Sequence, residues 1–139
     1  MLHYNKKYFS YQNKIGEFGG KANIYKFKKY IKKTDKVLDF GCGGGYLLNN
    51  IDCEEKIGFD VNIHAIKYAN DAFGLMVNNN IDNLKKNYFD VIISNHCIEH
   101  IKNPFETLEI LKEKIKIGGK IIIYVPNDKF NYKFTNNDI

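Results

Sequence analysis

Between Val37 and Tyr46 an apolar run ends in Asp39-Phe40 and meets four glycines in five positions, Gly41, Gly43, Gly44 and Gly45. Glycine reaches left-handed backbone angles at little cost and lets another group come close to the main chain. A glycine cluster between an apolar strand and a helical stretch is therefore a strand–turn–helix unit, and the rest of the chain repeats the alternation. Lys36 to Phe40, Lys56 to Asp60, Leu75 to Asn78, Phe89 to Asn95 and Lys120 to Val125 read as strands. Helical spacing fills the intervals that begin at Tyr46, Asn62 and Asn103. Val91, Ile92 and Ile93 form the kind of continuous run that belongs to a strand buried on both faces. The order implies an α/β fold: a doubly wound parallel sheet with right-handed crossovers and helices on both faces.

Local signals set the expected element ends. Asn62 is placed to cap the helix carrying Ile63, Ile66, Tyr68, Ala69 and Phe73. Asn103-Pro104 starts another, with Phe105, Leu108, Leu111 and Ile115 as its buried stripe and Gly118-Gly119 as its stop. Ahead of the first strand, Tyr4 to Gln12 reads as a short helix, Gly16, Gly19 and Gly20 as a break, and Lys21 to Lys33 as a second helix. Residues 1–33 are thus expected to be a helical lead-in or lid, and residues 34–139 the ligand-binding unit of a single domain.

The glycine turn is expected to hold a ligand, because main-chain N–H groups at such a turn suit anions and polar groups. It is not the dinucleotide pattern G-x-G-x-x-G: counted from Gly41 or Gly43, the third glycine falls on Tyr46 or Leu48. The chain instead has Asp39-x-Gly41-x-Gly43-x-Gly45, and Asp60-Val61 closes the second strand. An acid at that place can accept hydrogen bonds from both hydroxyls of a ribose.

This arrangement resembles motif I of the class I methyltransferases. The likeness runs on through Asn80-Ile81, Tyr88 to Ser94, Ile98-Glu99-His100-Ile101 and Leu111 to Val125. The resemblance implies a Rossmann-like sheet of order 3-2-1-4-5. It also implies S-adenosylmethionine (SAM) as cofactor, with S-adenosylhomocysteine (SAH) as product. The cofactor residues it implies are Asp39, Phe40, Gly41, Cys42, Gly43, Gly45, Asp60, Val61, Asn80, Ile81 and Asn95. Asn80 stands where the family carries an acid. The family's C-terminal antiparallel hairpin is expected to be missing, with Lys129 to Thr135 as a stub of it. Tyr8-Phe9 with Gly16 to Asn23 resembles small methyltransferases of glycan and lipopolysaccharide biosynthesis, and the same stretch equally reads as a flexible aromatic lid over the cofactor.

His96-Cys97-Ile98-Glu99-His100 spells H-x-x-E-H, a zinc-peptidase pattern that needs a helix. Following a buried strand, it reads instead as pocket lining, as an acid/base group, or as part of a metal site of the kind some methyltransferases carry. The catalytic candidates are His96, His100 and Glu99, and no metal is expected. An imidazole there can take a hydroxyl proton near neutral pH.

Composition narrows the partners. The 139-residue chain carries a net charge of +5, yet all 21 of its basic residues are Lys. Arg supplies the two-pronged contacts that read bases and phosphates, so nucleic acid is not the expected partner. The three cysteines, Cys42, Cys53 and Cys97, make no CxxC pair, which fits a reduced, cytoplasmic setting. No apolar run approaches the length of a membrane span. The expected reaction is methyl transfer from SAM to an oxygen of a small molecule or sugar. The alternative is a cofactor-binding remnant or partner subunit without independent catalysis. A homodimer or partner chain is expected, because a sheet ending at its fifth strand leaves an open edge.

Overall fold

The computed structural model describes residues 6–127. Five strands, β1 (Lys36–Phe40), β2 (Glu55–Phe59), β3 (Met76–Asn78), β4 (Phe89–Asn95) and β5 (Ile115–Tyr124), form one sheet. Its order is β3-β2-β1-β4-β5 and every pairing is parallel. Four helices accompany it: α1 (Lys6–Phe27), α2 (Tyr46–Asn49), α3 (Ile63–Phe73) and α4 (Pro104–Lys114). The Rossmann-like order and parallel pairing agree with the sequence reading. The stub at 129–135 lies outside the described residues.

Strand alternation builds two cores, one on each face. Val37, Val91 and Ile93 pack with Phe27 of α1, Leu47 and Leu48 of α2, and Ala69 of α3. Leu38, Phe40 and Ile92 pack on the opposite face with Ile98 and Leu111 of α4. Each of the Val, Leu, Ile and Phe side chains among them contributes about 1.5–3 kcal/mol by leaving water. On β1 the same alternation puts Asp39 on the Val37 face and Phe40 on the Leu38 face.

Three expectations about elements are corrected. The glycines of the lead-in do not break it, since α1 runs unbroken through Gly16, Gly19 and Gly20. The reason is close packing: a Cβ on Gly16 would lie 2.3 Å from the Tyr46 ring, and one on Gly20 would lie 2.6 Å from the Tyr46 carbonyl carbon. Helix α4 stops at Lys114, four residues before the glycine pair, because Lys114 turns inward and donates to the Leu84 carbonyl at 2.9 Å. Strand β5 then starts at Ile115 opposite Phe89 and bulges outward before Lys120 meets Val91. Gly118 (φ +80°) makes that bulge. Phe105 is not buried but 83% exposed. At about 100° per residue it stands about 120° around the helix from the buried Leu111.

Of the two helix starts read from the sequence, one is capped by its side chain. Asn62 accepts from the His64 and Ala65 amides at 3.0 and 3.4 Å, as its position before α3 predicts. At α4 the Asn103 side chain makes no backbone cap; it donates to Glu106 at 3.1 Å.

Candidate functional site

The loop after β1 turns left-handed three times, at Gly41 (φ +83°), Gly43 (φ +52°) and Gly45 (φ +79°). Two of these positions also lack room for a side chain. A Cβ on Gly41 would lie 2.3 Å from the Cys97 sulfur, and one on Gly45 would lie 2.6 Å from Leu75. The amides of Gly41 and Cys42 both donate to the Phe59 carbonyl, at 2.8 and 3.0 Å. The loop is thereby stitched to the end of β2, where Asp60 sits.

Asp60 is held from two sides. Its Oδ2 accepts from the Gly43 amide at 2.7 Å and its Oδ1 from the Asn62 amide at 2.8 Å. Burial pushes its pKa up, and the amides of Asn62, Gly43 and Val61 pull it back. Three amides on a carboxylate with about four lone-pair positions leave one still available to a hydroxyl. Asp39, one strand over, is only 2% exposed. Its pKa is pushed up to about 7, first by burial and then by the Asp60 charge.

A cavity of about 210 Å³ opens over these strand ends. Of the residues read from the sequence, Phe40, Gly41, Gly43, Asp60, Val61, His96 and His100 line it. Phe59, Asn62, Ala65, Cys97 and Ile101 also line it, and the sequence reading did not count them among the site residues. Phe40 and Phe59 stack with ring centres 4.9 Å apart, forming its apolar floor. Asp39, Cys42, Gly45, Asn95 and Glu99 lie outside the lining. So do Asn80 and Ile81: Asn80 instead accepts from the Asp82 amide at 2.9 Å and caps a short turn, while Ile81 packs against the core.

The H-x-x-E-H segment is not a helix. Ile98–His100 is a single 3-10 turn, which removes the zinc-peptidase geometry. Among the described residues no three His, Cys, Asp or Glu side chains gather as metal ligands. Glu99 lies between the two imidazoles, 3.6 Å from His96 Nδ1 and 3.8 Å from His100 Nε2. His96 itself has a left-handed backbone (φ +52°), fixed by its amide donating to the Tyr124 carbonyl at 2.8 Å. A non-glycine residue in that region costs on the order of 1 kcal/mol, which the surroundings must hold in place.

One neighbour of this segment came from an unforeseen quarter. Lys26, on α1, donates to Asn95 Oδ1 at 3.0 Å and lies 3.4 Å from His96 Nε2. An ammonium only donates, so Nε2 is the accepting nitrogen here. In the sequence Lys26 is one of 21 lysines, and nothing local sets it apart.

The comparisons with known proteins agree with this geometry. A family described as "Methyltransferase domain" matches residues 11–137. The ubiquinone biosynthesis O-methyltransferase of Rickettsia bellii is 32% identical, over 85% of this chain and 58% of that protein. The mitochondrial ubiquinone biosynthesis O-methyltransferase of Dictyostelium discoideum is 31% identical, over 68% of this chain and 36% of that protein. Among solved structures, a SAM-dependent methyltransferase from Archaeoglobus fulgidus is 30% identical with a TM-score of 0.72, covering 86% of this chain and 58% of that one. The plantazolicin methyltransferase BpumL, solved with SAH, is 28% identical with a TM-score of 0.69, covering 89% of this chain and 54% of that one. The chain spans about a third to three fifths of the length of these relatives. With the fold, the glycine cradle and the family match in agreement, the chain belongs to the class I SAM-dependent methyltransferases.

Proposed function

We propose that this chain binds SAM in the cavity over β1 and β2 and transfers its methyl group to an oxygen of a small molecule or sugar. The observation that carries the reading is Asp60, a carboxylate already oriented by the glycine loop and Asn62 with a lone pair left for a ribose hydroxyl. The residues fit the cofactor. Glycine at 41 and 45 lets the loop pack closely on Cys97 and Leu75, which fixes the turn that presents Gly43 and Asp60 at the cavity. The Phe40–Phe59 floor and Val61 offer flat apolar surface to a purine. SAM supplies an activated methyl on sulfur, so the protein's task is chiefly alignment. In open α/β sheets ligands sit beyond the strand carboxyl ends, so the segment from Asn95 to His100 would border a bound cofactor there. His100 takes the proton of an acceptor hydroxyl, or His96 does so once Lys26 releases its Nε2, with Glu99 steadying the imidazoles. Two relatives are named as ubiquinone biosynthesis O-methyltransferases, which supports an oxygen acceptor on a small molecule. On this reading residues 1–33 are a helical lead-in or lid and 34–139 the cofactor-binding unit.

Calorimetric titration with SAM and SAH, with NADH as control, tests the cofactor. Binding of NADH without any response to SAM or SAH would refute it. Turnover of labelled SAM against sugar nucleotides, phenols, RNA and protein pools tests the acceptor class, and label confined to RNA or protein would overturn that part.

A second reading, a cofactor-binding unit that works with a partner chain, is favoured by β5. Among the described residues this ten-residue strand pairs only with β4, and Ile117 in its bulge is fully exposed. Open strand edges invite pairing. Light scattering that gives a dimer supports this reading, and a monomer at every concentration counts against it.

A further inference from the structure

We propose that Lys26 forms an anion-binding subsite beside the cofactor cavity, and that the methyl acceptor carries a carboxylate or phosphate group seated on it. The word acceptor rests on the methyltransferase reading; the subsite rests on geometry alone. The Lys26 ammonium is withdrawn partly from water and meets three uncharged groups: Asn95 Oδ1 at 3.0 Å, His96 Nε2 at 3.4 Å and the Tyr124 ring, with its centre 5.3 Å away. Among the described residues no carboxylate lies within ion-pair distance of it. Cations drawn out of water are normally paired. Elsewhere in the molecule half-buried Lys116 pairs with Asp90 at 2.7 Å, and buried Lys114 donates to a carbonyl. Burial lowers the Lys26 pKa with no compensating charge, so an incoming anion would relieve the cost.

The position selects the acceptor over other ligands. Asn95, His96 and Tyr124 stand at the carboxyl ends of β4 and β5, on the opposite side of β1 from Asp60. His96 touches Lys26 and also lines the cavity, so a molecule anchored on Lys26 lies next to the proposed base. An ammonium has three protons. Asn95 and His96 account for two, leaving one for the anion. The nearby acid Glu99 faces the two imidazoles at 3.6 and 3.8 Å rather than Lys26.

The test uses the full chain as wild type, Lys26→Met, Lys26→Gln and Lys26→Arg. Benzoate, phenyl phosphate and neutral benzyl alcohol are titrated in the presence and absence of SAH, read by NMR from the Tyr124 and imidazole signals. The wild type and Lys26→Arg should bind the two anions at least ~10-fold more tightly than the alcohol, as expected of one charge-assisted hydrogen bond. Lys26→Met and Lys26→Gln should lose that preference. A wild type without the preference, or a neutral variant that keeps it, overturns the proposal. SAH and 5′-methylthioadenosine, which lacks the amino-acid carboxylate, separate the two sources of anion. Their affinity ratio should be equal in all four proteins. A ratio that collapses in Lys26→Met assigns Lys26 to the cofactor carboxylate and defeats the acceptor assignment. Anion preference without any SAH binding would leave the subsite standing and remove the methyltransferase reading.

Discussion

Two carboxylates, Asp39 and Asp60, lie at the glycine loop, and their surroundings hold them differently. Asp60 keeps its charge useful by accepting two amide protons, at 2.7 and 2.8 Å. Asp60→Ala should weaken SAH binding roughly 10- to 100-fold, the loss of a charge-assisted hydrogen bond worth about 1.5–3 kcal/mol. Calorimetry on a variant shown to be folded checks this; unchanged affinity would reduce Asp60 to a loop anchor. Asp39 has no such donors. Its folded pKa of about 7 lies above the unfolded value of about 3.9. A raised pKa means the folded state holds the proton more tightly. The contribution of Asp39 to stability is then fully present below about pH 4 and is lost as pH rises through about 7. Asp39→Asn should flatten the stability profile across that window and make the protein more stable than wild type at pH 8. Urea unfolding at pH 4, 6 and 8 decides it, and a parallel profile in the variant would refute the assignment.

Among the elements, α1 is the one the sequence misrepresents. Glycine lowers helix propensity, and three of them within five residues read as a stop. Yet Gly16 and Gly20, four apart and so on one face, let α1 close onto Tyr46, while Gly19 meets only Asn23 at 3.9 Å. Gly20→Ala should therefore destabilise the fold by about 1–3 kcal/mol through overpacking. Gly19→Ala should instead be neutral or stabilising by about 0.5–1 kcal/mol. Thermal melts of both variants test this, and equal effects would mean the tight crossing is wrong. The strands were legible because buried parallel strands are written as apolar runs; β4 is Phe89–Asn95 in the sequence reading and in the structure alike. The cradle was legible for a related reason, since left-handed turns demand glycine and leave a pattern. What was not legible depended on distant partners. The stop of α4 depends on Lys114 reaching Leu84, thirty residues away, and Lys26 acquires its role only by meeting Asn95, sixty-nine residues away.

At the scale of the whole molecule, the cavity joins both faces of the sheet through the loop ends. A ligand that binds the folded chain stabilises it by about 2.7 kcal/mol at a hundredfold excess over its Kd. SAH at that level should raise the melting temperature on the order of 10 °C for a chain of this size. A flat response to SAH in a thermal scan, with a clear rise for NADH, would contradict the cofactor assignment.

The two halves of the site close over very different lengths of chain. Asp60 meets Gly43 across seventeen residues, whereas Lys26 reaches Asn95 and His96 across sixty-nine and seventy. Contacts between near neighbours in sequence form sooner, because less chain must be gathered to make them. During folding the cradle around Asp60 should thus be assembled before the Lys26 end exists. On the proposed assignments, the end of the site meant for a nucleoside would take shape before the end meant for the molecule to be methylated.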